Sequence, residues 1–568
     1  MVPAAFVVVS ELPLLPNGKV DRAALPAPGA GAGGVSFRAP ETVAERLLAE
    51  IWEELLGVTG VGAGDDFFAL GGHSLLATRL THRLGRALDI RVPLRLVFEH
   101  PVLADLAQHL PTEGERPVGI PMIDRLPEAD GTLVLPASVG QERLWVLCRL
   151  EEEANLTYHI RGAVHIEGAL DVEALRTALL RLTHRHEVLR TRLDEVSGEI
   201  RQLVSADALV PLSRVATPDW ESVIESETRR AFDLTAGPLW HVTLIRAATD
   251  HHVFVMVLHH VIADGWSLDL LLRELAEHYA TASSTPAVAP PPPAGVQYAE
   301  IAHLQRETAS SELDFWRSHM AGAPSLDLPT DHPRPARQTY RGDTVPLTLS
   351  DDALAAAARG ADTTAFTVLA TALVIVLAKL TGQYDVTIGT PSAGREHPGT
   401  AEVVGYVVDT LPLRVRLSPE GTLKDALHHV RDVVERIRTH QRVPLEELIR
   451  ELRPPRDHSR TPLFQVLLAI NGTPPRYDLP GLRVRPAPIP IRTVPYDLVI
   501  QAEERDGRIT GHLIFNTDLF EATTAELIAE RLSETVSALA GDVDEVVRDV
   551  GVLSVGECVR LGGVSVSS

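Results

Sequence analysis

Apolar side chains recur at three- and four-residue intervals in several stretches, the period of a helix with one buried face. Val43, Leu47, Leu48, Ile51, Trp52, Leu55 and Leu56 follow this period after Pro40-Glu41-Thr42, and Gly57 ends it. A second helix is predicted from Ser74 to about Leu88, with Leu75, Leu76, Leu80 and Leu84 on one face. A third is predicted from about Val102 to Leu110, after His100-Pro101. These three predict a small all-α bundle over residues 38–111. From about residue 133 the pattern becomes mixed. Amphipathic stretches (Val172 to His186, Leu268 to Ala282, Thr364 to Leu380, Leu423 to Arg438) alternate with short β-rich runs. The runs include Ala163 to Glu167, His252 to Leu258, Val386 to Gly389 and Gln465 to Ile470. This is an α/β pattern, too long for one core.

Composition sets the boundaries. Residues 1–26 are a short segment ending in Pro26, and 27–37 hold a Gly-rich linker, Ala27 to Gly34. Residues 112–132 are rich in Pro, Glu and Gly and read as a second linker. The proline-rich stretch Ala287 to Ala294 divides the mixed region into lobes at 133–300 and 301–555. Residues 556–568 read as a tail towards a following domain.

The net charge of −23 disfavours nucleic acid and anionic membranes as partners. Two cysteines, Cys148 and Cys558, supply neither a disulfide framework nor a four-thiolate zinc site. A reducing cytoplasm fits. The longest apolar run, around Ala365 to Leu377, is too short to span a bilayer and is interrupted by threonine. The two ends read as cut from a larger protein.

Two short stretches carry candidate chemistry. In Asp65 to Leu75, glycines 71 and 72 permit a tight turn and Ser74 opens a helix. Ser74 is either an ordinary cap or a hydroxyl that can carry a phosphodiester at the positive end of the helix. In the second stretch a strand-like run ends at His259-His260, followed by Val261-Ile262-Ala263-Asp264-Gly265. A neutral imidazole at a strand end can accept a proton, or a hydrogen bond, from an amine near neutral pH. The competing readings are satisfied core histidines and a metal site drawing on His251-His252. Convergent ligands are not apparent, so no metal is expected. Asp264 reads as structural, and Gly265 as allowing a conformation or close approach that a side chain would block.

The string Asp65-Asp66-Phe67-Phe68-Ala69-Leu70-Gly71-Gly72-His73-Ser74-Leu75 resembles the attachment motif of peptidyl carrier domains of nonribosomal peptide synthetases. The resemblance implies 4′-phosphopantetheine on Ser74, installed by a phosphopantetheinyl transferase, with Leu75 and Leu76 as docking residues or plain helix core. His73 resembles carriers followed by a condensation domain. Leu12 to Arg22 resembles the last motif of an adenylation domain, so residues 1–26 are its remnant, and Lys19 is assigned no activity here.

His-His-x-x-x-Asp-Gly resembles the condensation-domain signature. Ser138 to Trp145 resembles the opening motif of that family, with Gly140 where alanine is usual. Arg185 to Thr191 matches a second motif, and Val404 to Arg414 a later one, with Asp409 where asparagine is usual. Arg456 to Phe464 matches the last, and His440 to Glu446 more weakly a sixth. The implied fold is a two-lobed chloramphenicol-acetyltransferase-like domain with His260 midway along a tunnel, Asp264 paired with Arg395 across the lobes, and catalytic residues His260, His259, Asp264 and Gly265. The implied reaction joins a donor acyl group on the upstream carrier to the amine of an acceptor on a downstream carrier. An L-configured donor is the expectation. An epimerisation-type domain or an inactive recruitment domain are the alternatives. The order of motifs implies an upstream adenylation domain and carrier-bound substrates as partners.

Overall fold

The computed structural model describes residues 37–551, apart from 73, 89–91, 93–94, 111–119, 285–293, 309–311, 396, 398, 472–478 and 506–507. The sequence readings for residues 1–36, for His73, for most of 285–294 and for the tail lie outside the described residues, as does the Ser74 side chain. The chain forms two compact units, one in the carrier-like region and one beginning at Ile120.

In the first unit the helix Val43–Leu56 starts where the pattern predicts. Thr42 and Glu45 form reciprocal capping bonds, and Gly57 closes the helix in the left-handed conformation. Helix Ser74–Leu88 and a shorter helix Leu103–His109 follow. Between them lies a five-residue helix, Arg95–Glu99, which is too short to show a period. Leu48, Trp52, Phe67, Leu80, Leu84 and Leu103 close the core. The turn before Ser74 needs both glycines. Gly71 has φ +99°, and a Cβ on Gly72 would lie 2.3 Å from the Phe67 ring.

In the second unit the strands, in chain order, are β1 (Leu133–Pro136), β2 (His159–Glu167), β3 (Thr191–Val196), β4 (Glu199–Val204), β5 (Leu212–Ala216), β6 (Trp240–Ala248) and β7 (His251–His259). They are followed by β8 (Gly342–Thr348), β9 (Asp385–Ser392), β10 (Asp409–Arg416), β11 (Val466–Asn471), β12 (Arg483–Pro486), β13 (Leu498–Arg505) and β14 (Arg508–Asn516). The first lobe holds a small sheet β1-β4-β3 and a larger one, β12-β2-β7-β6-β5. The second lobe is built on one sheet, β10-β9-β11-β13-β14-β8.

Strand β7 is buried at every position but its first, which is why its sequence is a continuous apolar run rather than an alternation. Helices Val172–Arg185 and Gly265–Ser284 join its core. In the second lobe the apolar run found in the sequence is helix Ala365–Thr381, buried from Thr367 to Ala378. Among the described residues no single helix is long and apolar enough to cross a membrane.

Two features were not visible as local pattern. Residues Ile120 to Thr132, read as the end of a linker, belong to the second unit. There Arg125 makes paired contacts with Glu187 (2.5 and 2.6 Å) and Glu300 (2.6 and 2.8 Å). The lobes are also not successive stretches of chain. Strand β12 pairs antiparallel with β2, and Val403, Val404 and Val407 enter the first-lobe core.

Candidate active site

The site is built at the end of β7, where neighbouring side chains of a strand leave on opposite faces. His259, the last strand residue, faces the core and is fully buried. The Val261 N–H donates to its Nδ1 (3.2 Å), so its proton sits on Nε2, 3.7 Å from Cys148 Sγ. Its ring also packs edge-on to His159 and Phe232. Burial, with His159 and His260 nearby, holds this imidazole well below the usual histidine range, and the same burial pushes the Cys148 thiol up to about 12. The grouping of His259 with His260 is therefore corrected: His259 is a neutral core residue with both nitrogens occupied.

His260 takes the other face. Its backbone N–H donates to the Tyr158 carbonyl (2.8 Å). Its ring lies edge-on to Tyr406, with centroids 4.8 Å apart, and to Tyr158, at 6.4 Å. Nδ1 is buried, while the residue as a whole keeps accessible surface. Nε2 is thus the nitrogen a substrate can reach. Burial lowers its pKa, opposed by the Asp264 charge, so the ring is neutral near pH 7. Tyr158 also walls a cavity of ≈470 Å³, lined among others by Arg143, Leu147, Tyr340 and Glu446.

Asp264 does different work. Its Oδ1 accepts from the Ser267 amide (2.8 Å) and hydroxyl (2.6 Å), which caps helix Gly265–Ser284. Its Oδ2 accepts from the amides of Val407 and Val408 (3.1 Å each). Arg395 Nη2 lies 3.0 Å from both oxygens, and Nη1 donates to the Val403 carbonyl (2.6 Å). Arg395 has no exposed surface. Burial alone would raise the Asp264 pKa; Arg395 and Ser267 overcome it and hold the carboxyl below its usual value. Every lone pair of Asp264 is committed, and the pair with Arg395 ties the β7 loop to the segment between β9 and β10.

Gly265 does not have the conformation expected of it. Its φ is not in the left-handed region, and a Cβ there would meet nothing within 4 Å. It opens its helix beside empty space. Gly140, by contrast, makes a close approach: a Cβ there would sit 2.8 Å from the Tyr406 ring that packs on His260, so that ring would have to shift. Tyr158, Tyr406 and Ser267 are the functional neighbours that motif reading left without a role. Their signal was present only as position, beside His159, inside Val404 to Arg414 and three residues after Asp264.

His251 and His252 stand at the far end of β7 from His260, and His251 instead meets His165 at 3.0 Å. In the first unit His100, Asp105 and His109 bring possible ligand atoms within 4.8 Å of one another, at a surface where they already bond each other.

A model of the condensation domain matches residues 133–561, and one of the phosphopantetheine attachment site matches residues 46–110. The chain belongs to the condensation-domain family of nonribosomal peptide synthetases. Malpinin synthetase of Mortierella alpina is 36% identical over 576 residues, covering 98% of this chain and 7% of that protein. A dimodular nonribosomal peptide synthase of Bacillus subtilis (strain 168) is 35% identical, covering 98% of this chain and 24% of that protein. This chain therefore spans a quarter or less of these relatives. Among solved structures, the X-domain from teicoplanin biosynthesis superposes with TM-score 0.70 at 28% identity, covering 77% of this chain and all of that one. The condensation domain of the Monacolin K polyketide synthase MokA, at 21% identity and TM-score 0.64, covers 73% of this chain and 99% of that one and shares the fold. The condensation domain here has the two-lobed, chloramphenicol-acetyltransferase-like α/β fold, preceded by an all-α phosphopantetheine attachment domain.

The residues around Ser74 fit the cofactor. Gly71 and Gly72 bring the chain to Ser74 at a helix N-terminus, and the first turn carries no acidic residue to repel a phosphodiester.

Proposed function

We propose that this chain forms an amide bond between a donor acyl group held on Ser74 and the amine of an acceptor on another carrier. When bound at Ser74, 4′-phosphopantetheine supplies a thiol that holds the acyl group as a thioester. The observation that carries the reading is the division of labour in the β7 loop. Asp264 is consumed by Arg395, Ser267 and two amides, while His260 presents one reachable, neutral nitrogen between two tyrosines.

In this reading Nε2 of His260 accepts a hydrogen bond from the acceptor amine, or takes its proton as the new C–N bond forms. The sulfur leaves as a thiolate with the electron pair of the broken C–S bond and takes up the proton lost by the amine, restoring the free thiol and neutral His260. Tyr158 and Tyr406 keep the ring in one orientation and exclude water from it. Asp264 shapes the loop and takes no proton. The partners that follow are an upstream adenylation domain, a phosphopantetheinyl transferase and a downstream acceptor carrier, in the cytoplasm, with an L-configured donor residue.

Replacing His260 with alanine should lower amide formation on the order of 10²-fold or more, with loading of Ser74 unchanged, as read by mass spectrometry of both carriers. Full amide formation by His260→Ala would sink the assignment. The X-domain from teicoplanin biosynthesis, to which this chain is similar, has been solved in complex with OxyB, which favours one other reading, a domain that only recruits. That reading predicts no amide from the unaltered chain under the same conditions. Racemised donor without transfer would instead mark an epimerisation-type domain.

A further inference from the structure

His260 lacks the device that usually orients a working imidazole. Among the described residues no hydrogen bond is completed at its Nδ1, so no acceptor on the second nitrogen fixes the ring. The ring is held instead by its surroundings, the Tyr406 and Tyr158 rings and the backbone of the β7 loop. Whatever fixes Tyr406 and that loop fixes the direction of Nε2.

Both are fixed from one place, the start of helix Val139–Leu150. Ser138 and Gln141 form its capping box. The Gln141 amide donates to Ser138 Oγ (3.1 Å), and Gln141 Oε1 accepts from the Ser138 amide (3.0 Å). That commits the side-chain oxygen of Gln141 and leaves its NH₂, which donates to the carbonyl of Val261 (2.8 Å), the residue after His260. Gln141 and Val261 have no exposed surface, so water does not compete for this bond.

Ser138 continues the connection towards Tyr406. Tyr298 Oη lies 2.8 Å from Ser138 Oγ and 2.8 Å from the Tyr406 carbonyl. A phenol has one proton and a carbonyl can only accept, so Tyr298 donates to Tyr406 and receives the Ser138 O–H. Tyr298 is buried, and its ring lies so close to Gly405 that a Cβ there would stand 2.2 Å away. One continuous chain of hydrogen bonds thus runs from Val261 through Gln141, Ser138 and Tyr298 to Tyr406, and its two ends adjoin His260.

Resting on the function proposed above, we infer that Gln141 and Tyr298 are positioning residues of condensation: acting through Val261 and Tyr406, they hold the ring of His260 in the orientation that turns Nε2 to the acceptor amine. Both are buried, so neither meets substrate itself.

The test is a double-mutant cycle on amide formation by the carrier–condensation chain with one loaded acceptor carrier. Tyr298→Phe and Gln141→Met should each lower kcat on the order of tenfold and leave the acceptor KM unchanged. In a His260→Ala background the same substitutions should cost nothing further. A loss of folded protein lowers kcat equally in both backgrounds and cannot imitate this pattern. Equal losses with and without His260, or no loss in the single variants, would overturn the inference. Gln141→Glu isolates the tie to Val261. Its protonated form still accepts from Ser138 and offers an O–H to Val261, whereas its ionised form offers none. Compared with Gln141→Met at the same pH, it should recover most of the rate at pH 6 and lose that recovery towards pH 9. No recovery at pH 6 counts against the tie. A readout independent of turnover is the NMR signal of the His260 ring, recognised by its absence from His260→Ala. Tyr298→Phe and Gln141→Met should each move it towards the position of a free histidine, and an unmoved signal refutes positioning. If the unaltered chain forms no amide, the proposed function fails, and this signal still decides whether the two residues hold the ring.

Discussion

Asp264 and Asp409 bracket the same segment of the condensation domain, one holding it at Val407 and Val408 and the other ending it at β10. Burial treats the two carboxyls alike, pushing both towards the neutral form. Their neighbours separate them. Arg395 and Ser267 hold the Asp264 carboxyl below its usual value, whereas burial and the nearby Glu446 push the Asp409 carboxyl up to about 8. The lesson is that burial does not set the charge of an aspartate here. The neighbours do: an arginine, a hydroxyl and amides at Asp264, a second carboxylate near Asp409.

Arg395→Leu would leave Asp264 in the position of Asp409, a buried carboxyl without its own cation. Loss of one partner of a buried pair typically costs about 3–5 kcal/mol, so the denaturant midpoint should fall sharply. A midpoint within experimental error of the unaltered chain would show that the ion pair does not hold the loop.

The two aspartates should next separate by pH. Asp264 has a lowered folded pKa, so its stabilising contribution is present above the unfolded carboxylate value and is lost as pH falls through the folded one. Asp409 has a raised folded pKa, so it opposes folding progressively from the unfolded carboxylate value up to about 8. Asp409→Asn should therefore raise the melting temperature at pH 8 and leave it unchanged near pH 3. An equal gain at both pH values would mean that the substitution acts through packing rather than charge.

Smaller effects test the ground between them. Gly140→Ala should push the Tyr406 ring from its place against His260 and lower amide formation about tenfold, since small misplacements at a reacting centre are costly. Carrier loading should be unaffected. Gly265→Ala should change stability by no more than about 0.5 kcal/mol, there being open space for its methyl group. A fall in amide formation by this variant would then show that substrate occupies that space.

Much of the fold was legible because it is local. The helices at 43–56, 74–88, 172–185 and 423–439 follow their periodicity to within a residue or so. The pairing of Asp264 with Arg395, implied by resemblance, is present in the geometry at 3.0 Å. What escaped is what depends on distant chain. Nothing near residue 484 announces that β12 will close the edge of β2, because a four-residue strand carries almost no period. The two histidines of the loop look equivalent in one dimension, and only the alternation of strand faces separates His259 from His260. Gly265 looked indispensable beside Asp264, yet the close approach belongs to Gly140, a position that looked like a mere departure from the usual alanine. Asp409 looked equally minor until its neighbours Glu446 and Arg143 could be seen.

Strand β12 has a practical consequence for anyone recombining these domains. A chimera that takes residues up to about 300 from one parent and the rest from another would join β2 of the first to β12 of the second. It would also face the Asp264 of one parent with the Arg395 and Val407 of the other. Exchange of the first lobe should therefore move four pieces together, the first lobe with Arg395, residues 403–408 and 483–487, and treat the remaining six-stranded body as the other exchangeable part.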